Sequence, residues 1–377
     1  MNKSTVMVLL DFTKAFDSVD HATLCLKLKS YFNFSNSATN LIFSYLTERS
    51  FKVIIGNTKS DSFSLPFGVP QGSILGPVLF TLYINDLPEV IKHSTMILYA
   101  DDAALINSSK VVDINNCIDQ INTDLENVFN WSINNNLYLN TLKSQALIVY
   151  KRPISMTNVT PIIVNNNPIN YSLKVKYLGV MINSMLNWDD HITHICSKVY
   201  IILRKLCSIN YYIPANLRHR LIVSLAIPHL TYAAEVFSAC TMGCKKKISL
   251  CYNACIRYIY SLKSFDHVSQ YRNIIFGCSI FEYYNFILCL LIFKLILLKQ
   301  PRALYNLLNF GKSSRTLNIT PPIIHSSHMQ RSFLYTGAKL WNHLNNNVKA
   351  NINVLKFKKC YFDNFGFSMP VSLTSPM

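Results

Sequence analysis

The chain has 377 residues, 50% of them hydrophobic and 15% charged, and a formal net charge of +17. This apolar content excludes a disordered chain and supplies more core than one small domain needs. The charge is unevenly spread: residues 1–190 hold 14 Lys and Arg against 15 Asp and Glu, whereas residues 191–377 hold 22 against 4.

A near-neutral half followed by a basic half implies a carboxylate-bearing part and a polyanion-binding part. An acidic lipid surface would attract the same cations. The 11 cysteines are scattered without the framework of a secreted protein, and no signal peptide precedes Asp11. An intracellular setting, nucleus or cytoplasm, is therefore expected. Cys240, Cys244, Cys251 and Cys255 invite a zinc assignment, but their spacing on a helical block favours buried thiols. The most apolar stretch, 286–298, is interrupted by Lys294 and falls short of the roughly 20 residues of a membrane span, so it reads as a buried helix.

In chain order, residues 6–10 form an all-apolar run ending in Asp11, as a buried strand with a carboxylate at its edge would. Asp20 is placed to cap a helix carrying Leu24, Leu28, Tyr31 and Phe32 on one face. A second helix is predicted over 37–47, then a hairpin from 51–55 and 62–67. The loop Gly68-Val69-Pro70-Gln71-Gly72-Ser73-Ile74-Leu75-Gly76-Pro77 feeds a helix with Ile74, Leu75, Val78, Leu79, Leu82 and Tyr83 on one face. Glycines 68 and 72 let backbone approach a ligand, and Gln71 is the long polar side chain of the loop. Taken alone, this segment reads first as an ordinary tight turn before a core helix.

Residues 96–106 set Asp101 and Asp102 in the turn of a hairpin between two apolar strands. At an effective dielectric near 20, two unit charges about 4 Å apart repel by roughly 4 kcal/mol. A half-buried pair therefore calls for a proton or a cation, and Mg²⁺ is the commonest hard ion for oxygen ligands. An exposed turn is the plainer alternative unless a third carboxylate joins, and Asp11 is the candidate.

Farther on, Ile114, Ile118, Ile121, Leu125 and Val128 trace a helix with Asp113 near its start. Residues 137–140 and 146–150 read as strands on either side of Lys143, and 177–180 as a strand or hairpin. From Trp188 the pattern is helical and basic; His191 and His194 read as solvated side chains rather than metal ligands. Residues 311–328 resemble a linker, and a segment with Trp341 follows.

Asp-Phe-Thr-Lys-Ala-Phe-Asp-Ser-Val-Asp-His from Asp11, Gly-Val-Pro-Gln-Gly-Ser-Ile-Leu-Gly-Pro from Gly68, Tyr-Ala-Asp-Asp-Ala-Ala-Leu from Tyr99 and Lys-Tyr-Leu-Gly from Lys176 form an ordered set. With them the sequence resembles the reverse transcriptases of retrotransposons lacking long terminal repeats, LINE-like elements of the jockey type. The resemblance implies an α+β fold. A right-hand polymerase palm, an antiparallel sheet with helices on one face, would occupy 1–187. A basic helical thumb and connection (188–310), a linker (311–330) and a small C-terminal segment (331–377) would follow, with the fingers largely missing.

The implied activity is RNA-directed DNA polymerisation by two-metal nucleotidyl transfer onto a primer 3′-hydroxyl. Asp11 and Asp101, supported by Asp102, would hold two Mg²⁺ ions, or Mn²⁺ in their stead. Phe12 and Phe16 would lie at the nucleotide, with the Phe16 ring excluding a ribose 2′-hydroxyl. Gln71 and Gly72 would line template and nucleotide, Lys143 would approach the triphosphate, and Tyr177, Leu178 and Gly179 would grip the primer end. The implied partners are an RNA template, a DNA primer and deoxynucleoside triphosphates, without a membrane. Only ten residues precede Asp11, where the family carries its fingers. The alternative reading is a catalytically silent nucleic-acid-binding remnant.

Overall fold

The computed structural model describes residues 3–150, 159–208, 213–311, 317–370 and 373. The chain divides into two compact units, Met1–Met185 and Leu186–Met377.

The first unit mixes helix and sheet. Strand β1 (Lys3–Leu10) leads to α1 (His21–Ser30) and α2 (Asn36–Leu46). Four two-residue strands follow, β2 (Ser50–Phe51), β3 (Ile54–Ile55), β4 (Thr58–Lys59) and β5 (Phe63–Ser64). Next come α3 (Leu75–Ile84), β6 (Thr95–Tyr99), β7 (Asp102–Lys110), α4 (Ile114–Asn134) and β8 (Gln145–Val149). Two hairpins close the unit, β9 (Ile162–Val164) with β10 (Asn167–Ile169), and β11 (Lys174–Tyr177) with β12 (Val180–Asn183).

The main sheet is antiparallel with strand order β6-β7-β1-β8. Its two inner strands bury the most apolar residues: Val6, Val8 and Leu10 on β1, Ala103, Ala104 and Leu105 on β7. The predicted face of α4 is the observed one, with Ile114, Ile118, Ile121, Leu125 and Val128 all buried. Asp20 caps α1, its carboxylate accepting the Thr23 N–H at 2.7 Å.

Three predicted elements differ. No strand forms over 137–140; the segment meets β1's continuation through one bridge, Phe12 with Leu139, before turning at Asn140. The hairpin over 51–67 is split into β2–β5 and β3–β4 pairs. The helix after the Gly-rich loop buries Leu79 and Tyr83 as predicted, together with Phe80 and Ile84, whereas Ile74 is 92% exposed and Leu75 and Val78 are exposed too. A helix apolar on all sides gives periodicity no direction to report.

Two buried polar anchors fix these elements. Lys27 on α1 donates to the Tyr83 carbonyl at 2.8 Å and to Asp86 at 2.6 Å, and its ammonium lies 4.8 Å from the Trp131 ring. Burial pulls the Lys27 pKa down while Asp86 opposes the shift. Asp124 on α4 is fully buried and accepts the backbone N–H groups of Lys92, His93 and Ser94, at 2.8, 3.2 and 2.7 Å, just before β6 begins. That satisfies donors a buried loop would otherwise leave orphaned.

The second unit is helical: α5 (Asp189–Cys207), α6 (Ala215–Leu221), α7 (Ile227–Thr231), α8 (Ala234–Phe237), α9 (Met242–Tyr260), α10 (Ile280–Leu298), α11 (Arg302–Tyr305), α12 (Ser327–Gln330), α13 (Phe333–Asn342), α14 (Asn346–Lys349) and α15 (Val354–Asn364). Helix α10 is long and apolar enough to cross a membrane by length and composition, with 44% of its most apolar window buried in the fold. A capping box of Ser279 and Glu282 opens it. Phe293 stacks on Phe357 at 4.2 Å, and Phe286 lies 4.9 Å from Phe362. The segment 331–377, read from sequence as a small C-terminal one, thus contributes Trp341, Phe357 and Phe362 to α10's core. Of the linker, 312–316 lie outside the described residues; beyond them the Trp341 indole donates to the Leu317 carbonyl at 2.6 Å. Cys244, Cys251 and Cys255 are buried thiols on α9. His191, expected in solvent, is buried against the Phe237 ring at 5.1 Å, and burial lowers its pKa to about 4.

Replacing Asp124 by Ala should destabilise the first unit by about 3 kcal/mol, because three backbone donors lose a charged acceptor inside the fold. Urea unfolding checks this; a loss below about 0.5 kcal/mol, the scale of a neutral surface change, would contradict it.

Candidate active site

The site is built where β1 ends. Register pairs Leu10 with Ala103 and Leu9 with Ala104, so Asp11, just past the last pair, and Asp102, the first residue of β7, lie at the same end of this ladder. Strands β6 and β7 pair Tyr99 with Asp102, leaving Ala100 and Asp101 as a two-residue turn. Ala100 takes the left-handed conformation, φ 52°, that such a turn requires. The hairpin tip and the end of the neighbouring strand therefore carry all three carboxylates to one edge of the sheet.

The carboxylates sense one another. Asp102's pKa is raised first by partial burial, then by the charges of Asp101 and Asp11. Among the described residues no ion pair reaches any of the three. Nor, among the described residues, do three His, Cys, Asp or Glu side chains form a group able to hold a metal ion. The donors are hard oxygens with uncompensated negative charge, which suits a divalent cation, but the three side chains alone are not a closed ligand set.

Asp11's backbone is held on both sides of Lys143. Its carbonyl accepts the Asn140 N–H at 2.8 Å, and its N–H donates to the Ser144 hydroxyl at 3.3 Å. Lys143 stands exposed on the turn between them. The Phe12 ring, expected at the nucleotide, is in the core at 5% exposure, so it anchors the strand end instead of offering a face to a ligand. Tyr177, Leu178 and Gly179 form the tip of the β11–β12 hairpin, with φ of 45° at Leu178 and 81° at Gly179. Burial raises the Tyr177 pKa, and the charge of Asp102 adds to the shift. The Tyr177 hydroxyl is buried without a hydrogen-bond partner.

A second set of contacts ties the Asp11–His21 segment to the glycine loop. Val69 N–H donates to the Phe16 carbonyl, and Gly68 N–H to the Val19 carbonyl, both at 2.8 Å. Gln71 donates from its side-chain amide to Asp17 at 2.8 Å, and the His21 ring nitrogen lies 2.8 Å from the Gly68 carbonyl. A Cβ on Gly68, at φ 88°, would come within 2.8 Å of the Asp17 Cα; only glycine admits this approach. Gly72, at φ 81°, has open space beside it. The half-buried Phe16 ring stacks on Phe80 with centroids 4.4 Å apart.

Sequence reasoning therefore missed Asp17, His21 and Phe80. Asp17 and His21 lie within the quoted motif, but only the loop's fold-back gives them partners. Phe80 lay unmarked in an apolar helix.

A strand end carrying Asp11 thus stands beside the Asp101–Asp102 hairpin, and the segment after Asp11 is tied to a glycine-rich loop. Residues 1–182 match the family described as reverse transcriptase (RNA-dependent DNA polymerase). The RNA-directed DNA polymerase of the mobile element jockey of Drosophila melanogaster is 32% identical over 50% of this chain and 21% of its own length. The probable RNA-directed DNA polymerase of the transposon X-element, from the same organism, is 29% identical over 51% of this chain and 21% of its own. The chain thus spans about a fifth of the length of these curated relatives. Among solved structures, apo telomerase of Candida tropicalis shares 12% identity at a TM-score of 0.36, covering 69% of this chain and 47% of that one. A likeness that slight carries no argument, and the assignment rests on the sequence relatives.

Asp102's raised pKa has a stability consequence. A carboxyl whose folded pKa exceeds its unfolded value contributes most below the unfolded value and loses that contribution as pH rises through the folded one. Asp102→Asn should therefore raise the melting temperature at pH 7 in chelator, and the gain should vanish below about pH 3. Thermal melts across pH test it; a lower melting temperature at pH 7 would show that the charge supports the fold.

Proposed function

We propose that this chain is the palm and thumb of an RNA-directed DNA polymerase, extending a primer 3′-hydroxyl on an RNA template. The supporting observation is the joining of Asp11 to the Asp101–Asp102 hairpin by strand register, with Asp102 feeling both neighbours' charge. In this reading residues 1–187 are the palm, 188–310 the thumb, 311–330 a linker and 331–377 a terminal segment. It works inside the cell, in nucleus or cytoplasm, where the 11 cysteines stay free thiols.

Asp11, Asp101 and Asp102 would hold Mg²⁺, or Mn²⁺, with nucleotide phosphate oxygens completing the coordination. Bound there, two ions supply charge neutralisation to the attacking and leaving oxygens. The chain's own side chains then position the reactants. Phe16, backed by Phe80, presents its ring edge where a 2′-hydroxyl would sit, selecting deoxynucleotides. Gln71, braced on Asp17, and the open backbone at Gly72 line the template and nucleotide. Lys143 offers a cation to the triphosphate, and the Tyr177-Leu178-Gly179 tip bears on the primer end.

A catalytically silent nucleic-acid binder is the second reading, favoured by the want of a closed ligand set among the described residues. Primer extension on RNA separates the two, using the chain alone and joined to the upstream region of the jockey relative. Extension with Mg²⁺ or Mn²⁺, lost about 10³-fold in Asp101→Asn at unchanged template affinity, is the expected outcome. Failure of both forms to extend would leave the silent binder.

Phe16→Ala should raise ribonucleotide incorporation about tenfold relative to deoxynucleotides, since truncating the ring opens room for the hydroxyl. Single-nucleotide incorporation ratios measure this; an unchanged ratio would remove Phe16 from sugar selection.

A further inference from the structure

The second unit has a cleft that the site above does not use. It occupies about 730 Å³ between the C-terminal halves of α5 and α9. Tyr200, Leu203 and Arg204 on α5 line one wall, and Arg257 and Tyr258 on α9 line the other. Tyr200 and Arg204 stand four residues apart, on one helix face. The Tyr200 ring is 42% exposed, and Tyr258 is a buried wall.

Among the described residues no acidic side chain lines the cleft, and the exposed Arg204 side chain makes no hydrogen bond or ion pair with them. Arg257 spends one N–H on the Asp266 carbonyl at 3.3 Å, yet its Nε is buried without a partner. Arg218 reaches Ser261 and the Tyr258 carbonyl of the same wall, the latter at 3.2 Å, and its Nε too is buried and unpaired. The Tyr258 contact completes the end of α9, so helix capping explains one N–H of Arg218 and neither orphan Nε. Arg204 and Arg257 line the cleft, and an oxyanion seated there would accept from their guanidinium groups.

We propose that this cleft binds a nucleotide unit of single-stranded nucleic acid, phosphate against Arg204 and Arg257 and base against the Tyr200 ring. A lone phosphate would leave the exposed ring and the Leu203 wall without a role. A duplex would keep its bases stacked away from Tyr200, whereas an unpaired base has a free face. The proposal rests on the polymerase reading for its choice of ligand. It adds a strand-holding site in residues 186–377, apart from the carboxylates.

The test uses the full chain and a 4-thiouridine-bearing oligouridylate of about twelve nucleotides, photocrosslinked and mapped by mass spectrometry. An adduct at Tyr200 is expected. Arg204→Ala should weaken binding about tenfold and reduce the slope of log affinity against log salt by about one. Tyr200→Leu should remove the adduct, while Lys246→Ala, on exposed α9 surface outside the cleft, should retain it and change affinity less than about twofold. Both cleft residues named for substitution are exposed, so these variants should fold, and circular dichroism checks that they do.

Adducts confined to other peptides, or equal losses in Arg204→Ala and Lys246→Ala, would overturn the proposal. Primer extension on the same preparations keeps the two ideas apart. Extension without a Tyr200 adduct defeats the cleft alone, and a Tyr200 adduct without extension upholds the cleft against the polymerase reading.

Discussion

The register between β1 and β7 is the constraint on which the site depends. Slipping β1 by one residue would turn Val6, Val8 and Leu10 to the opposite face and shift Asp11 relative to Asp102. The apolar side chains that make this slip costly contribute nothing to chemistry themselves. The placement of the carboxylates is thus enforced by burial several residues away on the same strands. Asp124 serves the same end from the other side, since its three backbone hydrogen bonds fix where β6 starts.

A second constraint is steric. Gly68 lets the glycine loop lie against Asp17, and the Phe16 and Val19 carbonyls then receive two loop N–H groups. The ring at Phe16 is consequently held by backbone hydrogen bonds on one side and by Phe80 on the other. In the proposed reading, selection against a 2′-hydroxyl would depend on such rigidity, because a ring free to rotate would make room for that atom.

Much of this was legible from the sequence, and what was not has physical reasons. Strand β1 with its terminal Asp11, the Asp101–Asp102 hairpin, the cap at Asp20 and the inner face of α4 follow from local periodicity and turn chemistry, which neighbouring residues determine. The inner face of α3 did so only in part, because an all-apolar helix encodes no direction. Residues 137–140 alternate like a strand but spend their hydrogen bonds on the single connection to residues 11–13. His191 looked solvated beside Asp189 and Asp190, yet packing against Phe237, distant in sequence, buries it. Phe12 shows the same limit: its motif marks a functional segment without saying which ring faces the ligand and which the core.

The basic half gains its meaning from what its few acids do. Of the four in residues 191–377, Glu282 closes the capping box of α10 by accepting the Ser279 N–H at 2.7 Å, and Asp266 accepts the Lys263 N–H at 2.7 Å. Acids spent on backbone donors are weak counterions for 22 cations. Self-repulsion of that charge opposes compaction, and the fold offsets it with an aromatic core running from Phe286 through Phe293 to Trp341, Phe357 and Phe362. A surface left so positive releases counterions when a polyanion binds, which lowers the free energy of the complex without requiring any base to be read. The first unit, near neutral and with its carboxylates gathered at one sheet edge, has the opposite need: it must attract cations. One chain thus separates the charge that would hold a polyanion from the charge that would hold ions, and the two need not neutralise each other.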